Sequence, residues 1–228
     1  MIKFDVITIF PEIFKSYLGE SLIARAQKKK FIKVNLHNLR DFTTDRHKTV
    51  DDRPFGGGLG MVLKVEPIFK AIKKIKKSKK SKVVLFTPRG EKFTQKMAYK
   101  FSKLDQVIFI CGRYEGVDER VAEKLADIEI SIGDYDLMGG ELPAMVVIES
   151  ISRLVPGVLG KPQLLKERVS KTGGFLEYAQ YTRPEVFSAK GGSASGGKAV
   201  KWKVPPILLS GRHKEIEEWK KAHGKIIE

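Results

Sequence analysis

Three glycine-bearing segments hold the residue types from which a small-molecule site is built: LFTPRG at 85–90, CGRYEGVDERV at 111–121 and ISIGDYDLMGGELP at 130–143. Each follows a run that reads as a strand, and in open α/β sheets ligands bind in loops at the carboxyl ends of strands. Gly112, Gly116, Gly133, Gly139 and Gly140 allow positive φ and close backbone approach. One such glycine is more often a simple turn. With Tyr114, Tyr135 and Pro143 they describe a pocket whose polar contacts are mainly backbone N–H and C=O groups around a flat ring, and adenine is a natural occupant.

Other chemistries are poorly provided for. Cys111 is the only cysteine, so an intrachain disulfide or a cysteine-built zinc site is excluded, and it reads as a small core residue on a strand. His37, His47, His213 and His223 lack metal-ligand spacing and sit in no Ser-His-acid motif. GGSASGGKAV at 191–200 approaches the phosphate-loop spacing, but Ala199 stands where Ser or Thr would hold magnesium, so 190–198 reads as a flexible loop. The cluster Gly56, Gly57, Gly58 and Gly60 is not a dinucleotide fingerprint, because Met61 occupies the last glycine position.

The elements that must carry the three loops alternate along the chain. Runs at 4–10, 32–36, 83–87, 107–111 and 128–132 read as strands, and 12–29, 66–77, 91–103, 118–125 and 141–154 as helices. This order predicts an α/β domain with a mostly parallel sheet covered by helices. After Pro156 the periodicity ends. The expected organisation is a first domain over 1–160, a linker over 161–176, and a small helical C-terminal domain over 177–228 ending in a helix at 215–222 with Trp219 on its apolar side.

The chain has 228 residues, 42% of them hydrophobic, which is enough for at least one full core. Its 43 Lys+Arg against 27 Asp+Glu give a net charge of +16 and point to a polyanionic partner. A lysine run, Lys73, Lys74, Lys76, Lys77, Lys79, Lys80 and Lys82, is as readily a solvated face as a phosphate-contact patch. No apolar run of about 18 residues and no signal-peptide pattern at 1–10 is present, so the expectation is a cytoplasmic protein without a membrane partner.

The motifs GRYEGVDERV, ISIGDYDLMGGELPAMVVIESISRLVPGVLG, VDDRPFGGGLGMVLKVEP and QYTRPEVF together resemble the bacterial tRNA (guanine-N1)-methyltransferases that modify position 37 beside the anticodon. The resemblance runs from FDVITIFPEIF to VPPILLSGRHKEIEEWK, nearly the whole chain. It implies the SPOUT-type trefoil-knotted α/β fold, S-adenosylmethionine as methyl donor, tRNA rather than DNA as partner, and an obligate homodimer. Magnesium is also implied, at no position the sequence identifies.

By motif, the resemblance assigns cofactor contacts to Leu85, Thr87 and Pro88, to Gly112, Tyr114, Glu115 and Gly116, and to Ile132, Gly133, Asp134, Tyr135, Asp136, Leu137, Gly139, Gly140 and Pro143. Arg153 matches an arginine that assists the transfer. The family's catalytic aspartate has no counterpart in KERVSKTGGFLEYAQYTRP, which leaves Glu167 as the first candidate base and Glu177 as the second. Contacts to tRNA fall on Arg46, His47, Lys48 and Arg53 and on Tyr181 and Arg183. Asp51, Asp52 and the neighbouring glycines read equally well as turn residues. Two alternatives stay open: a related knotted methyltransferase acting on ribosomal RNA, and an RNA-binding protein whose altered linker has cost it catalysis.

Overall fold

The computed structural model describes residues 1–160, 175–189 and 200–227. The chain divides into two compact units, Met1–Lys166 and Glu167–Glu228. The first is built on a five-stranded parallel sheet of order β2-β1-β6-β5-β7, with β1 (Ile2–Thr8), β2 (Ile32–Asn38), β5 (Ser81–Lys92), β6 (Gln106–Ile110) and β7 (Ile128–Ser131). Every residue of β6, QVIFI, is buried, as expected of a central parallel strand covered on both faces. Alternation along it divides the core. Ile108 and Ile110 join Ile7, Leu63, Ile68 and Val121 on one side, while Phe109 stacks between Phe4 and Phe86 at ring-centroid distances of 6.1 and 5.4 Å on the other.

Two helix boundaries differ from the sequence expectation. The run 12–29 is two helices, α1 (Glu12–Leu18) and α2 (Ser21–Lys28), because the chain stops at Gly19 and turns extended at Glu20 (φ −118°, ψ 160°). Residues 91–92 belong to β5, so α4 (Gln95–Phe101) begins only where the Thr94 hydroxyl accepts from Met97 N at 3.2 Å. Helices α3 (Val65–Lys74), α5 (Glu119–Lys124) and α6 (Glu141–Ser152) lie within or beside the expected spans. A two-residue antiparallel pair, β3 (Asp51–Asp52) with β4 (Val62–Leu63), closes the base of the loop 53–61.

The second unit is not purely helical. Its described residues form two antiparallel pairs, β8 (Phe175–Tyr178) with β11 (Gly224–Ile227) and β9 (Val186–Ala189) with β10 (Val200–Lys203), beside the helices Pro206–Leu209 and His213–Ala222. The Tyr, Trp and Val content of these short runs suits strands, and their length was too short to show a period. Trp219 stacks on His223 at 4.3 Å and meets Tyr181 at 6.3 Å with the rings tilted by 58°. The expected linker lies outside the described residues up to 174, while Phe175 and Leu176 pair with Ile227 and Ile226. The glycine- and serine-rich stretch at 190–198 also lies outside them.

Candidate functional site

The three loops singled out by type and spacing converge at the carboxyl ends of β5, β6 and β7 around one cavity of about 340 Å³. The first loop is an excursion inside β5. Phe86 and Glu91 both pair with Ile130 of β7, so Thr87, Pro88, Arg89 and Gly90 are ejected from the sheet between two paired segments. Gly90 makes this possible: a Cβ there would stand 2.5 Å from the Ile130 backbone nitrogen.

The second and third loops are laced together at the cavity floor. Gly140 N donates to Gly112 O at 3.0 Å, and Arg113 bridges Gly139. A Cβ on Gly140 would come within 2.7 Å of Cys111 Cα, so the close approach of the two backbones demands glycine. In the second loop Tyr114 and Gly116 take positive φ (59° and 106°), which turns the chain back so that Gly116 N reaches Arg113 O at 3.0 Å. Asp118 then starts α5 by accepting from Arg120 N at 3.0 Å.

Of the expected cofactor residues, Leu85, Thr87 and Pro88 line the cavity from the first loop, and Gly112, Tyr114, Glu115 and Gly116 from the second. From the third come Ile132, Gly133, Tyr135, Asp136, Leu137, Gly139, Gly140 and Pro143. Asp134 does not line it. Its side chain is 84% exposed and paired with Lys92 Nζ at 2.5 Å, so its polar group is committed to the return segment of β5. Tyr114 and Tyr135 are half exposed, which leaves ring surface available to a ligand.

Sequence reasoning missed a charged frame. Arg89 donates from Nη2 to both carboxylate oxygens of Glu119 (2.7 and 2.8 Å) and from Nε to Glu129 (3.0 Å), and these bonds raise its pKa. Beneath the second loop, Glu141 is buried in the first turn of α6, where it accepts from Thr8 Oγ1 at 2.7 Å and from Arg113 Nε at 2.9 Å. Arg113 also lies over the Phe10 ring at 4.9 Å. The available signal was a Glu directly after Gly-Gly at a helix start, a position the helix dipole favours. Burial pushes the Cys111 thiol well above its ordinary pKa, with Glu141 adding to the shift.

The three candidate catalytic residues fall in different parts of the chain. Arg153 caps the carboxyl end of α6 in the first unit and does not line the cavity. Glu177 is exposed on β8 in the second unit, opposite Lys225, and Glu167 lies outside the described residues. Arg46, His47, Lys48 and Arg53 are all exposed around the loop closed by β3 and β4, which also carries Phe55 and Leu59 almost fully exposed (101% and 95%). Tyr181 and Arg183 line a groove of the second unit together with Leu208 and Leu209. Among the described residues no three His, Cys, Asp or Glu side chains come together as a metal site, and no helix is long and apolar enough to cross a membrane.

A family model described as tRNA (Guanine-1)-methyltransferase TrmD matches residues 2–226. The tRNA (guanine-N(1)-)-methyltransferase of Dictyoglomus turgidum is 51% identical over 224 residues, covering 98% of this chain and 85% of that protein. The protein of the same name from Ruminiclostridium cellulolyticum is 48% identical over 220 residues, with 96% and 89% covered. That of Clostridioides difficile is 45% identical over 225 residues, with 97% and 92% covered.

Proposed function

Because the chain belongs to the tRNA (guanine-1)-methyltransferase family, we propose that it methylates N1 of guanosine 37 in tRNA with S-adenosylmethionine as donor, bound between the three loops of the first unit. The observation that carries this reading is the lacing of the Gly112 and Gly140 loops around a cavity of about 340 Å³, a size suited to a drug-sized ligand. Glycines whose Cβ atoms would strike backbone keep that cradle open to close approach, and the rings of Tyr114 and Tyr135 offer flat apolar contact. Bound there, the donor supplies an electrophilic methyl carbon on a sulfonium.

The remaining chemistry falls to the protein. Guanine N1 becomes a competent nucleophile only when its proton leaves, so a carboxylate base must accept that proton while a cation stabilises the charge developing at O6. Glu167 is the base in this reading, with Glu177 in reserve, and Arg153 is the cation. Arg46, His47, Lys48, Arg53, Tyr181 and Arg183 hold the RNA. Among the described residues no three His, Cys, Asp or Glu side chains come together as a site for the magnesium that the family resemblance implies.

The family's trefoil knot is part of the same proposal, supported by the parallel order β6-β5-β7 and by loops 111–118 and 132–140 running against each other. A homodimer is supported by an apolar patch on α1 and α6, where Ile13, Tyr17, Leu142 and Val146 are 38–56% exposed. A cytoplasmic location fits a tRNA substrate. The test is methyl transfer from labelled S-adenosylmethionine to unmodified tRNA bearing guanosine 37, with wild type, Glu167→Gln, Glu177→Gln and Arg153→Ala compared. Product at N1 that disappears in Glu167→Gln with donor binding retained supports function and base together. Full activity in that variant moves the base to Glu177, and donor binding by wild type without tRNA methylation overturns the substrate.

A further inference from the structure

The edge of the parallel sheet opposite the cavity carries an unusual concentration of unpaired positive charge. The loops that precede β2, β5 and β6, with their flanking positions, hold Lys28, Lys29, Lys30, Lys76, Lys77, Lys79, Lys80, Lys82 and Lys103, all exposed. The carboxylates in the loops leading into the sheet are Asp105 and Asp127, and Asp127 is occupied with Val83 N at 2.7 Å. Among the described residues none of these lysines forms an ion pair; Lys15, Lys48, Lys70, Lys92, Lys124 and Lys220 are the lysines that do.

These loops are stitched into one surface. Asp105 N and Gln106 N both donate to Lys80 O (2.9 and 3.3 Å), Lys3 N donates to Asp105 O at 2.9 Å, and Ile2 N to Phe31 O at 3.2 Å. The lysine-rich turn is held from below by a buried side chain: Gln106 Oε1 accepts from Ser78 N at 2.7 Å, and Gln106 Nε2 is oriented by Asp5 Oδ2 at 2.8 Å. The turn therefore presents its lysines from a fixed backbone.

Helix stabilisation explains only part of the set. Cations near a helix carboxyl end offset its dipole, which accounts for Lys28 on α2, as it does for Lys73 and Lys74 just outside the set on α3. The effect dies away within the last turn, and Lys76, Lys77, Lys79, Lys80 and Lys82 lie beyond it. Holding so many like charges on one edge is unfavourable unless a polyanion neutralises them.

We infer that this lysine edge is a second RNA-binding surface, contacting backbone phosphates of the tRNA without reading sequence, on the side of the sheet away from the methyl-transfer cavity. It rests on the tRNA methyltransferase reading. From Ser81 to Phe86 the strand rise alone separates edge and cavity by about 17 Å, so the two surfaces engage different parts of the RNA. RNA is favoured over an anionic membrane because the large apolar side chains exposed at this end of the sheet are few, Met1 and the Tyr99 ring that Lys103 covers, too little to enter a lipid interface.

The experiment uses the full chain and compares Lys77→Gln/Lys79→Gln/Lys80→Gln with the corresponding triple Lys→Arg variant and with a control, Lys15→Gln/Lys70→Gln/Lys96→Gln. Binding to tRNA is followed over a salt titration. The expected result for the edge variant is a log-log salt slope smaller by about 2 to 3 and a KM for tRNA raised about tenfold, with kcat and donor affinity unchanged. The Arg variant restores both and the control leaves them near wild type. An unchanged slope and KM in the edge variant, or an equal loss in the control, overturns the surface. So does binding of vesicles containing phosphatidylserine through these lysines with tRNA binding intact. Failure of wild type to methylate tRNA overturns the parent reading instead, since the binding titration does not depend on turnover.

Discussion

Truncating Glu141 separates two explanations of the cavity floor, a buried ion pair or loop packing alone. Its carboxylate is 1% exposed and accepts from both the fully buried Thr8 hydroxyl and Arg113 Nε, whose side chain is 19% exposed. Glu141→Ala leaves a hydroxyl and a guanidinium without their acceptor, and removing one member of a buried pair costs about 3–5 kcal/mol. Partial solvent access at Arg113 places the loss near the lower end, about 3 kcal/mol. Glu141→Gln keeps the shape but turns an amide N–H toward one of the donors, at about 2 kcal/mol. Trp202 and Trp219 both lie in the second unit, so fluorescence reports on the wrong half, and hydrogen exchange at β1 and β6 amides is the suitable assay. Donor affinity falls in parallel, since Arg113 bridges Gly139. A loss under about 1 kcal/mol in Glu141→Ala, or additivity with Arg113→Ala within about 0.3 kcal/mol, would refute the ion-pair account.

Gly90→Ala and Gly140→Ala each place a methyl under 3 Å from backbone, so both weaken S-adenosylmethionine binding about fivefold or more in calorimetry, by about 1–3 kcal/mol of overpacking. Asp5 is buried, which pushes its carboxyl up, yet bonds from His37, Gln106 and Asn35 together hold it below its ordinary value of 3.8. Its stabilisation is complete above the unfolded pKa and is lost as pH falls through the lower folded value, so Asp5→Asn flattens the acid limb of a urea-midpoint series below about pH 4. The Cys111 thiol resists a thiol-specific reagent in the native protein and reacts on unfolding; rapid native labelling would contradict its burial. Val146→Glu on the exposed α6 face shifts the protein to monomer in sedimentation and abolishes methyl transfer if both subunits build the site.

The alternation of strands and helices was legible because the central strands are continuous apolar runs, and the cavity was legible because Gly112, Gly139 and Gly140 serve backbone approach that no packing rule requires. The break at Gly19 was masked by the helical pattern on both sides of it. The return of β5 through Glu91 and Lys92 was unreadable for a different reason: two polar residues pair with Ile130 and Ser131 only because a distant strand lies there. The charged frame of Arg89, Arg113 and Glu141 was missed likewise, since partners 28 to 40 residues apart leave no local period. Asp134 was assigned by motif position, and in the structure it pairs with Lys92 from β5 and is absent from the cavity lining.

The excursion at Thr87–Gly90 has a thermodynamic consequence. Most ligand-covering loops are tethered to rigid structure in ways that leave them free to fluctuate, and they lose that freedom when the ligand arrives. Here both ends of a four-residue loop are registered against the same residue of one neighbouring strand, so its conformational entropy is lost when β5 and β7 pair. At about 1–2 kcal/mol per fixed residue, ordering the four costs about 4–8 kcal/mol during folding and nothing at binding. Opening this lip would require unzipping sheet, so the first loop meets its ligand already in place.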